Sequence, residues 1–433
     1  MQRPITILFL AIALTTSAFA QDFTKTLRPI QLEDGDTLVF LGDSITHQCL
    51  YTQYVEDYYY TRYPDRRINI RNAGVSGDVA GDALTRFDDD IAKFKPKYVT
   101  ILIGMNDGGY TPFEHEILEE YKQGMTELLD KIEGIGATAI IMTPTMFDLR
   151  SAIRGDNWVD AEKANAMHYN ATLAFFGLWG MQQANERGLG FVNMFEPLNR
   201  ITREKRKSNP NFTLIQDAVH PEADGQLVMA LALLEDIGAS QIVSTINIDR
   251  TEGGWTIRAR NGEVLGQTDG IIDFTFQASS LPWVVPQDAA KGFAMTKAGH
   301  RMGRETIRVN GLEPGKYNLM IDQVKVGAYS HAQFAAGVEL QGNKKTPQYA
   351  RALKVAEANK SRNEKSVHAT RDLWLRLKGQ RRRAQENEEE FKQWYRQFKE
   401  ETKELERVAA VQDEEIRGMS KPQAYNYVIV KAE

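Results

Sequence analysis

Ser44, Asp217 and His220 are the residues of this chain whose types and spacing point to nucleophilic chemistry. A serine hydroxyl attacks poorly until a base takes its proton, and an imidazole is the better base when a carboxylate fixes its tautomer. Asp217 and His220 lie three residues apart in "LIQDAVHPEADGQ", on a turn before a helix that Pro221 can open at its first position. That spacing lets the carboxylate hold one ring nitrogen while the other faces the serine. Alone, Asp-x-x-His is a common structural pattern, and the Gly-Asp-Ser of "TLVFLGDSITHQ" is weak evidence as a bare tripeptide.

Two more residues have the chemistry to stabilise an oxyanion. Gly77, in "NAGVSGD", can present an unobstructed backbone N–H, and Asn106, in "IGMND", offers a side-chain amide. The plain alternatives are a tight turn at Gly77 and a turn-forming Asn106. His47 follows Ser44 by three positions, where it can touch a substrate or hydrogen-bond locally. Asp43 and Asp107 read as residues that fix nearby backbone. Cys49 is the single cysteine, which excludes an internal disulfide and reads as a small buried side chain. The other histidines, His115, His168, His300, His331 and His368, lack metal-ligand spacing, so neither a metal nor a cofactor is expected.

The elements that must position these residues are legible as alternating short apolar and longer amphipathic runs, the pattern of βαβ units around a parallel sheet. Strands are expected over 37–41, 68–72, 98–103, 137–143 and 190–193, with helices over 50–63, 79–94, 113–135 and 160–186. Ligands bind such sheets at the carboxyl ends of the strands, which is where Ser44, Gly77 and Asn106 fall. After Gly238 the pattern becomes β-rich, in pieces such as "QIVSTINID", "IIDFTFQASSLPWVV" and "TIRVNGLEPGKYNLMID" separated by turn residues. From about residue 346 to 418 the chain is charged and helical. Trp374, Leu377, Phe391, Trp394, Tyr395 and Phe398 recur near helical spacing, which is by default a face buried on the rest of the protein. A sugar-binding or partner-binding stripe is the functional alternative. "AYNYVIVKA" reads as a strand returning to the β-rich part.

In this setting "GDSIT", "NAGVSGD", "IGMND" and "DAVHP" resemble the four sequence blocks of the SGNH hydrolases, also called GDSL-type esterases, over about residues 36–238. The resemblance implies a flavodoxin-like three-layer α/β/α sandwich. It also implies Ser44 as nucleophile, Asp217 and His220 as its acid and base, and an oxyanion hole formed by the N–H groups of Ser44 and Gly77 with Asn106. The expected activity is hydrolysis of carboxylic esters through an acyl-enzyme. An exported enzyme of this kind with an attached β module is similar to extracellular polysaccharide-processing esterases, so carbohydrate O-deacetylation is the expected reaction. Lipase- or thioesterase-like acyl hydrolysis and a non-catalytic glycan-binding role are the alternatives.

The expected division is a signal peptide over 1–20, the catalytic domain over 21–240, a β-rich module over 241–345, and a charged helical region with a terminal strand over 346–433. The N-terminus has a basic start, an apolar run over 5–14 and a small-x-small site at Ala18 and Ala20, so the chain is expected to be secreted or periplasmic. A membrane anchor or a buried strand is the alternative reading of that run. The formal net charge of −5 gives no electrostatic reason for a nucleic-acid partner. A small-molecule or polysaccharide ester is the expected partner, with no membrane after signal cleavage and with oligomerisation through the C-terminal helices as a further reading. "NPNFTL" matches the glycosylation pattern at Asn211.

Overall fold

A computed structural model describes residues 26–154, 165–383 and 387–433. The expected signal peptide and the start of the helix expected over 160–186 lie outside the described residues. Within them, five parallel strands, β1 (Thr37–Gly42), β2 (Asn69–Gly74), β3 (Tyr98–Leu102), β4 (Thr138–Met142) and β5 (Gly190–Val192), form one sheet in the order β2-β1-β3-β4-β5. This is the flavodoxin-like order. Strand side chains alternate between faces, so Leu38 and Phe40 enter one core while Val39 and Leu41 enter the other. Both faces are covered, which is why β1 is apolar at nearly every position.

The helices of this part are α1 (Ser44–His47), α2 (Leu50–Arg62), α3 (Ala80–Thr85), α4 (Phe87–Asp90), α5 (His115–Gly134), α6 (Leu149–Arg154), α7 (Tyr169–Arg187), α8 (Phe195–Arg206) and α9 (Ala223–Asp236). Tyr54 and Tyr58 of α2 join Leu227 and Leu231 of α9 in the first core. Met125 and Leu129 of α5 join Ala83 and Phe87 in the second. The continuous helix expected over 79–94 is broken at Arg86 and again at Ile91. The break at Arg86 lets that side chain turn inward onto two carboxylates.

Beyond Gly238, β6 (Ile242–Thr251), β7 (Gly254–Arg260), β8 (Gly262–Gln267), β9 (Ile272–Ala278), β10 (Arg304–Asn310), β11 (Lys316–Ile321), β12 (Val324–Ser330), β13 (Val338–Glu339) and β14 (Ala424–Lys431) form two sheets, ordered β13-β10-β6-β7 and β12-β11-β14-β9-β8. Their inner faces meet in one core, Ile246, Ile248, Ile307 and Val309 from the first against Phe274, Phe276, Leu319 and Tyr427 from the second. The last strand is central, hydrogen-bonded to β11 on one side and β9 on the other.

Part of "IIDFTFQASSLPWVV" is not strand. After β9 the chain crosses to α2, where Leu281 N–H donates to the Thr61 carbonyl at 2.9 Å and the Trp283 indole N–H donates to the Tyr54 carbonyl at 3.0 Å. Trp283 is fully buried, edge-on to Tyr58. Two short helices follow, α10 (Ala290–Thr296) and α11 (Ala298–Met302), and α10 packs on α9 where Gly292 permits close approach to Asp224. The helix α12 (His331–Ala336) covers β10.

The C-terminal arm consists of α13 (Pro347–Arg362), a π-type turn over Asn363–Val367, α14 (His368–Arg383) and α15 (Glu388–Ser420). It packs on α2 and on the edge strand β2. Asn359 reaches Asp57 at 2.9 Å and Asn363 reaches Glu56 at 2.7 Å, all buried. Arg417 donates to the carbonyls of Arg66 and Ile68 at 3.0 and 2.7 Å, just ahead of β2. The aromatic stripe is an internal face, with Trp374 and Phe398 edge-on at 5.2 Å and Val75 in the same cluster.

Because β14 follows the arm in sequence yet lies mid-sheet, a chain ended at residue 345 loses both and exposes β9 and β11 as unpaired edges. Such a chain is expected to aggregate or melt well below the full protein in thermal denaturation; a soluble product with an unchanged melting temperature contradicts this.

Candidate active site

Ser44 is the first residue of α1, directly after β1, so the sheet delivers its hydroxyl at the carboxyl edge. The close passage of the chain here demands glycine. A Cβ on Gly42 would stand 2.9 Å from the Leu102 carbonyl, and one on Gly74 would stand 2.3 Å from the His47 nitrogen. Asn72 fastens the same corner by donating to the Thr46 carbonyl at 2.7 Å.

Across the site, the turn between Asp217 and His220 carries Ala218 at φ 76°, a conformation that side chains adopt with strain. The Ala218 carbonyl accepts from Asp148 N–H at 2.8 Å, which holds the turn in place. One oxygen of Asp217 accepts from the N–H groups of Val219 and His220 at 3.0 and 2.8 Å; the other is 2.6 Å from His220 Nδ1. His220 Nε2 is 2.7 Å from Ser44 Oγ. Burial alone would raise the Asp217 pKa, but the His220 ring and the two backbone donors outweigh it and hold the carboxyl below its usual range. Asp217 is therefore ionised at neutral pH and accepts the hydrogen bond that His220 Nδ1–H donates, which leaves Nε2 as the acceptor toward the Ser44 hydroxyl.

Gly77 has φ 73°, and among the described residues its N–H has no hydrogen-bond partner. The Ser44 N–H, at the start of a helix, has no acceptor within that helix. The Asn106 amide donates to the Asp78 carbonyl at 3.0 Å, which draws it beside the Gly77 turn, and Tyr110 donates to its oxygen at 3.1 Å. Together the two contacts fix the amide's orientation, and the one to Asp78 uses one of its two hydrogens. Asp43 and Asp107 do fix backbone, accepting from Ile45 and Ala80 N–H groups at 2.9 Å. Burial, reinforced by nearby Asp107, pushes Asp43 up to about 7. Burial likewise pushes Asp107 up to about 6. Cys49 is buried and its thiol pKa is pushed far up, so it is no thiolate nucleophile.

Residues of the arm also reach this turn, and sequence reasoning missed them. Lys378 of α14 donates to the Gly77 carbonyl at 2.8 Å and to Asp78 at 2.9 Å. Asp78 also takes Arg86 at 2.8 Å; Arg86 reaches Asp90 at 2.6 Å; and Arg371 of α14 meets Asp90 with two bonds of 2.7 and 2.9 Å. Asp78, Arg86, Asp90 and Arg371 are all buried. The available signal was Arg371, Trp374 and Lys378 at intervals of three and four, one helix face on which two cations flank a tryptophan. His47 is tied to the arm as well, with Nε2 3.2 Å from Asp372.

Residues 40–228 match the family described as GDSL-like Lipase/Acylhydrolase. The chain carries an SGNH hydrolase domain. The protein is a carboxylic ester hydrolase. It is similar to an acetylxylan esterase of Geobacillus stearothermophilus, 26% identical over 231 residues, which span 48% of this chain and 97% of that one. Among solved structures it is similar to a gut microbial diltiazem-metabolizing enzyme, with a TM-score of 0.78 and 26% identity, covering 94% of this chain and 100% of the other. That second likeness takes in nearly the whole chain, including the sandwich and the arm.

The raised Asp43 pKa has a thermodynamic consequence. Between the unfolded value near 3.8 and the folded value of about 7 the native state holds a proton that the unfolded chain has lost, so Asp43 costs stability progressively as pH rises through that window. Asp43→Asn keeps the cap acceptor without the titration. The variant is expected to gain on the wild type between pH 5 and pH 7.5 in denaturant melts, by an amount on the order of one to a few kcal/mol. A difference independent of pH would contradict the assignment.

Proposed function

We propose that this hydrolase is a serine esterase in which Ser44, His220 and Asp217 act as nucleophile, base and orienting acid, and that it removes acetyl groups from carbohydrate. The observation that carries the reading is the unbroken line from Asp217 through both ring nitrogens of His220 to Ser44, with separations of 2.6 and 2.7 Å. His220 Nε2 takes the hydroxyl proton as Ser44 Oγ attacks the acyl carbon, and the ionised Asp217 stabilises the imidazolium that forms. The N–H groups of Ser44 and Gly77 and the Asn106 amide receive the negative oxygen of the tetrahedral intermediate. Collapse returns the proton to the departing alcohol and leaves an acyl group on Ser44. A water, deprotonated by the same imidazole, then releases the acid and restores the serine.

The likeness to an acetylxylan esterase supports acetyl as the acyl group and a sugar as the alcohol. The likeness to a diltiazem-metabolizing enzyme over nearly the whole chain supports a second reading, a small non-carbohydrate ester. The N-terminal apolar run and its small-x-small site support export of the chain, with cleavage near Ala20. No helix among the described residues is long and apolar enough to cross a membrane.

Hydrolysis of p-nitrophenyl acetate, butyrate and octanoate by wild type and Ser44→Ala tests the chemistry, followed by acetylated xylo-oligosaccharides and diltiazem. The expected result is fastest turnover of the acetate, a loss of at least a thousandfold in kcat for Ser44→Ala, and acetate release from the sugar. Preference for octanoate would move the reading to a lipase. Turnover of diltiazem with none of the sugar esters would favour the small-ester reading, and undiminished activity in Ser44→Ala would end the serine mechanism.

A further inference from the structure

His47, His368 and Asp372 are gathered where the arm meets the nucleophile's helix. His47 belongs to α1, three residues after Ser44, while His368 and Asp372 sit one turn apart on α14. Each offers one donor atom, and all three atoms lie within 4.8 Å of one another. His47 Nε2 is 3.2 Å from one Asp372 oxygen, and His368 Nδ1 is 3.3 Å from the other. Ligands around a tetrahedral zinc ion, each at about 2.1 Å from it, stand about 3.4 Å apart. Each histidine already stands at about that distance from the carboxylate, His47 from one Asp372 oxygen and His368 from the other, so a single oxygen serves both after a small turn of the carboxylate. The separation between the two histidines closes by small rotations of His368 and Asp372, whose side chains are 42% and 44% exposed, whereas that of His47 is 5% exposed and held in place.

We propose that His47, His368 and Asp372 form a binding site for a divalent transition-metal ion, Zn2+ fitting best, at the junction of the C-terminal arm and the active site. Two imidazoles and a carboxylate select a borderline-soft cation over Mg2+ or Ca2+, which take oxygen ligands. The half-exposed side of the cluster leaves the remaining coordination positions to water. The competing account is a carboxylate that accepts hydrogen bonds from two imidazoles and binds nothing. The neighbouring Arg371 is committed to Asp90 with both terminal nitrogens, so its charge is answered inside the fold.

Occupancy would be felt at the neighbouring turn. His47 Nδ1 is 3.3 Å from both the N–H and the hydroxyl of Ser76, the residue before Gly77. With a metal on Nε2, the ring proton resides on Nδ1, so the bond from Ser76 N–H gives way to one from Nδ1–H to the Ser76 hydroxyl. The ion thereby ties the arm to the nucleophile's helix and resets one contact of the turn that carries Gly77. The binding claim itself does not depend on the proposed esterase activity.

The test uses the untagged full-length chain, stripped with a chelator and titrated with Zn2+ by calorimetry, with Co2+ absorption in the visible as a spectroscopic reporter. Wild type is expected to take up one equivalent saturably and to give Co2+ bands of a low-symmetry nitrogen and oxygen site. His368→Ala, His368→Gln and Asp372→Asn, each checked for native fold by circular dichroism, are expected to bind at least tenfold more weakly and to lose the bands. Absence of saturable uptake by wild type overturns the proposal, as does equal affinity in folded His368 and Asp372 variants.

Discussion

The structure depends on a chain of buried charges: Lys378 and Arg86 on Asp78, then Arg86 and Arg371 on Asp90. Two carboxylates placed under the carboxyl edge of the sheet need more than the one cation that their own segment supplies. Arg86 is shared between them, and the arm adds Lys378 to Asp78 and Arg371 to Asp90. Removing one member of such a buried set leaves an uncompensated charge, at a cost of about 3–5 kcal/mol. The network therefore binds two parts of the chain that lie about 300 residues apart in sequence, and it does so against the backbone that carries Gly77.

Other features of the architecture follow from the same dependence. The arm must end near the sheet edge, yet the chain must return to complete the sandwich, and β14 does so by entering between β9 and β11. The sandwich in turn is anchored on α2 through Trp283. Helix α2 thus receives the crossover segment at Tyr54 and Thr61 and the arm at Glu56 and Asp57, which explains how nearly the whole helix is buried. The similar acetylxylan esterase is spanned almost entirely by less than half of this chain, so the family chemistry can be built on the core alone. In this protein the added segments supply charges to that core.

Much of this was readable in the sequence because its signals are local. A strand buried on both faces is a short apolar run, and a glycine that must admit another backbone stands beside the serine it positions. Ser44, Gly77, Asn106, Asp217 and His220 each fall at an element boundary, and the structure brings Ser44, Asp217 and His220 into one hydrogen-bonded line and Asn106 to the Gly77 turn. What failed was long-range. The helix expected over 79–94 is broken because Arg86 finds its partners inward, a fact that no helical period contains. "SSLPWVV" has strand composition but is fixed by α2. Lys378 and Arg371 look like solvated charges of a polar helix until the face they share is seen to meet Asp78 and Asp90. His368 has no ligand spacing along the chain, because its neighbour His47 comes from another element.

The arm meets the Gly77 turn through Lys378, and the most direct measurement of what that contact does is steady-state hydrolysis of an acetate ester by Lys378→Met, with Lys378→Arg and thermal melts alongside. If Lys378 positions the Gly77 turn, kcat falls by about ten- to a hundredfold, equivalent to roughly 1.4–2.7 kcal/mol, while KM changes little and Lys378→Arg restores part of the loss. An unchanged kcat in a folded Lys378→Met protein would contradict the account and leave the arm a structural attachment.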